Sequence, residues 1–158
     1  MNLLSRLARL YYLAARWPEL LSPVFDFGLR LFGANIFIKS GLTKIQTWDS
    51  TLYLFREEYH VPLLNPEVAA WLATSAELGL SALLVLGLFG RFSAAGLFIL
   101  NAIAVLSYPE ISEEGIRHHI YWGLLLAVLL ILSRGKWSVD AWIEKSIVQR
   151  PVRLPENT

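Results

Sequence analysis

The chain has 158 residues, room for one domain, with 55% apolar residues, 17% charged residues and a net charge of +1. So apolar a composition in so short a chain exceeds what a typical soluble domain hides and fits a membrane protein. There is no cysteine, and Met1 is the only methionine. Disulfides, thiol exchange, cysteine-held iron–sulfur clusters, covalently attached haem and a soft-ligand copper relay are therefore excluded for this chain.

From the beginning of the chain, residues 3–17 place Leu3, Leu7, Leu10, Tyr11, Ala14 and Trp17 on one helical face, with Arg6, Arg9 and Arg16 clustered away from it. The pattern predicts an amphipathic helix, within a segment 1–21, that lies in the cytoplasmic headgroup plane and stops at Trp17-Pro18. Charge spread through the stretch and no small-x-small cleavage signal argue against a cleaved signal peptide. Ser22-Pro23 then offers a cap and a first-turn proline for the first membrane helix.

Four apolar runs follow, at 24–45, 68–89, 92–108 and 116–133. A helix needs about 20 residues to span the hydrocarbon core, and tilt or bilayer thinning accommodates shorter ones. The first two runs qualify outright and the third is short. The fourth is strictly apolar only from Ile120 to Leu132, which leaves Arg117, His118 and His119 in the interface. The expected fold is all-α: an integral membrane four-helix bundle over 22–135, preceded by the interfacial helix and followed by a cytoplasmic tail, 136–158. A soluble bundle is the competing reading, but helices apolar nearly all round leave no faces for water.

Between the first two runs, the 46–66 loop carries Trp48, Tyr53, Phe55, Tyr59 and His60 and closes at Pro62 and Asn65-Pro66. Thr47–Tyr59 reads as a short helix on the outer surface, its aromatics forming an interfacial belt. The tight turn from Gly87 to Arg91 forces antiparallel packing of the next two helices. Ala69, Ala73, Ala76, Gly79 and Ala82 on one and Ser93, Ala94, Ala95 and Gly96 on the other allow close approach.

Charge asymmetry sets the expected orientation. Arg6, Arg9, Arg16, Arg91, Arg134, Lys136, Lys145, Arg150 and Arg153 fall on the side of the termini and the 89–92 turn. The other loops hold Arg56 and Arg117 against Asp49, Glu57, Glu58, Glu110, Glu113 and Glu114. By the positive-inside rule both termini are cytoplasmic, in a multi-pass membrane protein, and His60, His118 and His119 lie at the outer face.

Ionisable residues inside the apolar runs carry the functional signal. On the first run, Asp26, Arg30, Gly33, Phe37, Gly41 and Lys44 share a face about 80° wide. Asp26 and Arg30, four apart, can pair; Lys39 lies almost opposite Arg30; Gly33 and Gly41 would admit another helix or a flat ligand. Glu77 and Asn101 fall near mid-depth on the second and third runs, so a buried network of Arg30, Glu77, Asn101 and Lys39 is expected. An ion pair that only fixes assembly is one reading of it. The other is a pocket for a polar head such as a quinone carbonyl or a small anion, with Glu77 exchanging protons. His118, which shares a face with Trp122, and His119 are neighbours and chelate poorly on a helix. An outer metal site would need His60, His118 and His119 together, and proton exchange beside a quinone head is the further option for a histidine here.

Together these residues resemble a known family. Arg30-x-x-Gly33-x-x-x-Phe37-x-x-Ser40-Gly41-x-x-Lys44 is similar to the opening of DoxX-like membrane proteins. Glu77, Leu83-Leu84, Gly87 and Arg91 resemble their second helix and turn. The His118/His119-x-x-Trp122 step and Gly135-x-Trp137-Ser138-Val139-Asp140 resemble the family's ending, where a second glycine often stands in place of Trp137. The resemblance implies a four-helix bundle in the bacterial cytoplasmic membrane. Related proteins include a subunit of thiosulfate:quinone oxidoreductase, a partner in complexes that counter oxidative stress, and members encoded beside machinery for copper-binding peptides. Arg30, Lys44, Glu77, Arg91 and His119 are the family-pattern residues present.

The functional expectation is a quinone-linked redox or redox-accessory protein in the lipid bilayer, acting with a protein partner. Glu77 and His119 are its candidate catalytic residues; Arg30, Lys44, Asn101, His118 and Trp122 are its candidate quinone-binding residues. Quinone is the cofactor expected, with no motif for a tightly bound one and no metal site unless the histidines supply it. The alternative is a non-enzymatic assembly or anchoring subunit of a stress-response or copper-peptide system. Whether the chain is itself an enzyme, and whether it forms homo-oligomers, stays open. Nucleic-acid binding is not expected, because the basic residues flank membrane segments.

Overall fold

The computed structural model describes residues 11–12, 17–132 and 137–148. Most of the expected amphipathic helix over 3–17 and the tail beyond 148 lie outside the described residues. Six α-helices follow in order: α1 (Trp17–Gln46), α2 (Trp48–Glu57), α3 (Pro66–Leu86), α4 (Gly90–Ser107), α5 (Glu113–Leu132) and α6 (Val139–Ile143), which runs into a π-turn, Glu144–Val148. There is no strand among the described residues.

The first helix corrects the expected boundary. α1 is helical from Trp17 through Pro23, which lies inside it, so Ser22 does not cap a new helix. A proline inside a helix removes one intrahelical bond, and the apolar residues on both sides extend the helix's membrane face through it. Elsewhere the local signals act as their chemistry dictates. The Asn65 side chain accepts from the Glu67 N–H at 2.9 Å, with Pro66 in the first turn of α3. At the other end Gly87 adopts φ 65°, and the Leu88 N–H reaches the Leu83 carbonyl at 3.0 Å, closing the helix in a Schellman-type turn.

Among the described residues three helices are long and apolar enough to cross a membrane: Leu21–Gln46, Pro66–Leu86 and Gly90–Ser107. The principal core draws Ala34 and Phe37 from α1, Leu84 from α3, Ala94 and Leu97 from α4, and Leu126 and Leu129 from α5. A second cluster packs Phe55 of α2 against Ala69 and Ala70 at the start of α3. Outside these cores the distribution of polarity is reversed from that of a soluble protein. Phe25, Phe32, Trp71, Phe92, Ile99, Leu106 and Ile131 are exposed, while Arg30, Thr74, Glu77, Ser81, Ser93 and Asn101 are buried. Side chains that water would not tolerate on a surface face outward here, as they do toward lipid.

The close approaches between helices fall partly where the small residues predict. A side chain at Gly41 would overlap Leu78 at 2.8 Å, and one at Gly33 would touch Leu125 at 3.4 Å, so both glycines admit helices and not a ligand. Gly96 lies against Leu80 of α3. Gly79 and Ala82 point away, with nothing within 4 Å of a Cβ built at Gly79.

Candidate functional site

The antiparallel register of α1 and α3, fixed where Gly41 meets Leu78, separates the expected polar network into two sites at opposite ends of the helices. At one end, Arg30 is fully buried. Its Nε donates to Asp26 Oδ2 at 3.0 Å and its Nη2 to the Trp137 carbonyl at 2.5 Å, while the guanidinium lies 5.5 Å from the Phe27 ring centre. Asp140 completes this end. Its carboxylate accepts from the Phe89 and Gly90 N–H groups at 3.0 and 3.1 Å, capping α4, whose cap residue Phe89 has no side chain able to do so. The Asp140 N–H bonds back to the Gly87 carbonyl at 3.2 Å. Arg30 therefore ties the 137–140 segment to α1, Asp140 ties it to the α3–α4 turn, and Arg30 does not pair with Glu77.

At the other end the charges close on each other. Lys44 Nζ lies 2.6 and 2.8 Å from the two Glu77 oxygens and 2.8 Å from Ser40 Oγ, and the Ser40 hydroxyl donates to Glu77 Oε1 at 3.2 Å. The side chains are largely buried, 20% and 10% exposed for Lys44 and Glu77. Lys39, expected in the network, is exposed. Across the bundle Asn101 uses both amide atoms on His119: Nδ2 donates to the His119 carbonyl at 2.9 Å and Oδ1 meets His119 Nδ1 at 2.8 Å. Trp122 stands edge-on to the His119 ring at 4.8 Å.

These two polar pairs line one cavity of 520 Å³. Its walls are apolar, from Ile36 and Phe37 of α1, Ala73 and Ala76 of α3, and Leu100 and Ala104 of α4. Of the sequence-predicted residues the structure brings Lys44, Glu77, Asn101, His119 and Trp122 together around it. It leaves out Arg30, at the far end, and His118, an exposed side chain 3.7 Å from Glu114 and stacked near Trp122. Ser40 and Tyr59 also line the cavity; the sequence reading placed Ser40 in the family motif and Tyr59 in the interfacial belt, and neither among the candidate site residues. Ser40 lies one turn before Lys44, a spacing that signals contact only once the Glu77 partner is known. Tyr59 belongs to a stack of Phe55, Tyr59 and Tyr108, with ring centres 4.8 and 5.1 Å apart. Burial raises the Tyr59 phenol pKa above its ordinary value, helped by the negative charge of Glu77, and a hydrogen bond to Glu58 raises that of Tyr108. His60 is exposed and its backbone N–H bonds the Ser107 carbonyl at 2.7 Å. Among the described residues no three His, Asp or Glu side chains cluster closely enough to hold a metal ion.

Three lipid-length helices around a polar-lined cavity define a multi-pass membrane protein of the helical class. The DoxX family profile matches residues 25–109, more than half of the chain. The chain belongs to the DoxX family. It is also 31% identical over 126 residues to an uncharacterized protein of Haemophilus influenzae, covering 74% of this chain and 82% of that protein. No solved structure matches it.

Proposed function

We propose that this DoxX protein is a quinone-linked redox or redox-accessory subunit of the bacterial inner membrane. In this reading α5 is a fourth span, the N-terminal segment is an interfacial helix, and both termini are cytoplasmic. The observation that carries the reading is the cavity, which combines apolar walls with two polar pairs in a volume suited to a small aromatic head. Three of its lining residues, Leu64, Leu72 and Ile103, are themselves 42%, 55% and 40% exposed, so the cavity is continuous with the outer, lipid-facing surface. A ligand with a long apolar tail fits that arrangement, its head inside and its tail in the acyl chains.

A bound quinone supplies two-electron, two-proton redox chemistry. The chain's own contribution is positional. Lys44 and Ser40 hold the Glu77 carboxylate at the cavity wall, Asn101 orients His119, and Trp122 walls the imidazole; Glu77 and His119 are the groups able to hold a proton against the head. The sequence carries no motif for a tightly bound redox cofactor, which supports a role beside a protein partner.

The test is a lipid extract of the purified protein, with quinone counted in both redox forms. Stoichiometric quinone is expected from the native chain. Glu77→Gln should keep abundance and thermal stability while quinone is lost. The anchoring reading has its own support, because Glu77 is fully engaged by Lys44 and Ser40. It predicts instead that Glu77→Gln depletes folded protein and that the native chain carries no quinone.

A further inference from the structure

Resting on the cavity reading above, the geometry points to selection for a ligand head that donates a hydrogen bond, a phenol or hydroquinone, over one that only accepts. The argument begins at Asn101. Its amide orientation is fixed by the His119 backbone carbonyl, which can only accept, so the nitrogen must be the atom 2.9 Å from it and the oxygen the atom facing His119 Nδ1 at 2.8 Å. That amide oxygen is itself an acceptor. His119 Nδ1 must therefore carry the proton, and in the neutral imidazole Nε2 is left with a lone pair.

The other cavity groups reinforce this bias. Lys44 directs its ammonium donors to Ser40 and the two Glu77 oxygens, at 2.6 to 2.8 Å, and Ser40 spends its hydroxyl on Glu77. The charged pair has thus consumed its own donors. His119 Nε2 remains as an acceptor in an apolar-walled space where an unmatched acceptor is costly. A hydroxyl head donates to such an atom and still offers lone pairs to the Tyr59 phenol or the Trp122 indole N–H, which line the same cavity. A carbonyl or ether head can satisfy only the latter two.

The experiment compares three short-tailed probes by titration calorimetry on the full chain in detergent: a decyl hydroquinone under anaerobic reducing conditions, its dimethyl ether, and the corresponding quinone. The expected result is hydroquinone binding about tenfold tighter than either of the others, the size of one hydrogen bond gained at Nε2. His119→Phe should bring hydroquinone down to the affinity of the ether while leaving the ether unchanged. Equal or weaker binding of the hydroquinone relative to the ether or quinone overturns the selection and leaves the cavity reading standing. Binding of none of the three overturns both. The comparison on the native chain decides the matter even where the variant does not fold.

Discussion

At the scale of single residues, the Lys44–Glu77 pair poses the sharpest energetic question. Two charges taken out of water are stabilised by each other only when the geometry is close and the remaining lone pairs are filled, which Ser40 accomplishes here. Removing the lysine strands the carboxylate, so Lys44→Met should lower stability by about 3–5 kcal/mol. The double change Lys44→Met with Glu77→Leu should recover most of that loss, and thermal unfolding in detergent reads both. Glu77→Gln is milder by the same logic. Lys44 stands in the last turn of α1, and its long stem can carry the charge outward to the interface. This pair also marks where sequence reading reaches its limit. The Asp26–Arg30 contact follows from four-residue spacing and is present at 3.0 Å. Which cation meets Glu77 depends on how far α1 slides along α3, a register written into the close contact of Gly41 with Leu78 and invisible to periodicity within either helix. The Asn101–His119 pair was likewise legible only as two polar groups of unknown separation, since the α4–α5 approach at Gly123, where Asn101 Nδ2 lies 3.4 Å from a built Cβ, decides it.

At the scale of elements, the α3–α4 turn holds more of the fold together than its few residues suggest. Gly87 is in the left-handed region at φ 65°, and a Cβ there would run into Arg30 Nη1 and, at 2.5 Å, Ser138 Cβ. The same glycine thus ends α3, admits the buried guanidinium and seats the 137–140 segment. Gly87→Ala should destabilise by more than the 1 kcal/mol or so that a left-handed residue alone costs. Gly79→Ala makes the matched control: it is exposed, with nothing within 4 Å, and should be neutral or raise stability by up to about 1 kcal/mol through helix propensity. Melting temperatures of the two variants side by side check the contrast; equal effects would mean that the turn is not the constraint described. The turn signal at Gly87 and Gly90 was evident from sequence. The docking of Asp140 on it was not, because a cap supplied from 50 residues away leaves no local pattern.

At the scale of the whole molecule, the reversal of polarity between surface and interior is the property that composition foretold most directly, and it says that the helices live in lipid without saying how many cross it. The path of α5 decides this. Its first turns hold Glu113, Glu114, Arg117, His118 and His119, and an unbroken apolar stretch begins only afterwards. If α5 crosses, its two flanks lie on opposite sides, and the orientation proposed above puts the α4–α5 loop outside and the 137–148 segment inside. The absence of cysteine makes the point directly measurable, since a single introduced thiol is the only one in the chain. Glu110→Cys in the loop and Lys145→Cys in the π-turn are both exposed positions. With a membrane-impermeant maleimide, Glu110→Cys should label in intact cells and Lys145→Cys only after the membrane is opened. Labelling of both from outside would leave α5 on one face of the bilayer, and with it the cavity would lose the wall that His119 and Trp122 provide at membrane depth.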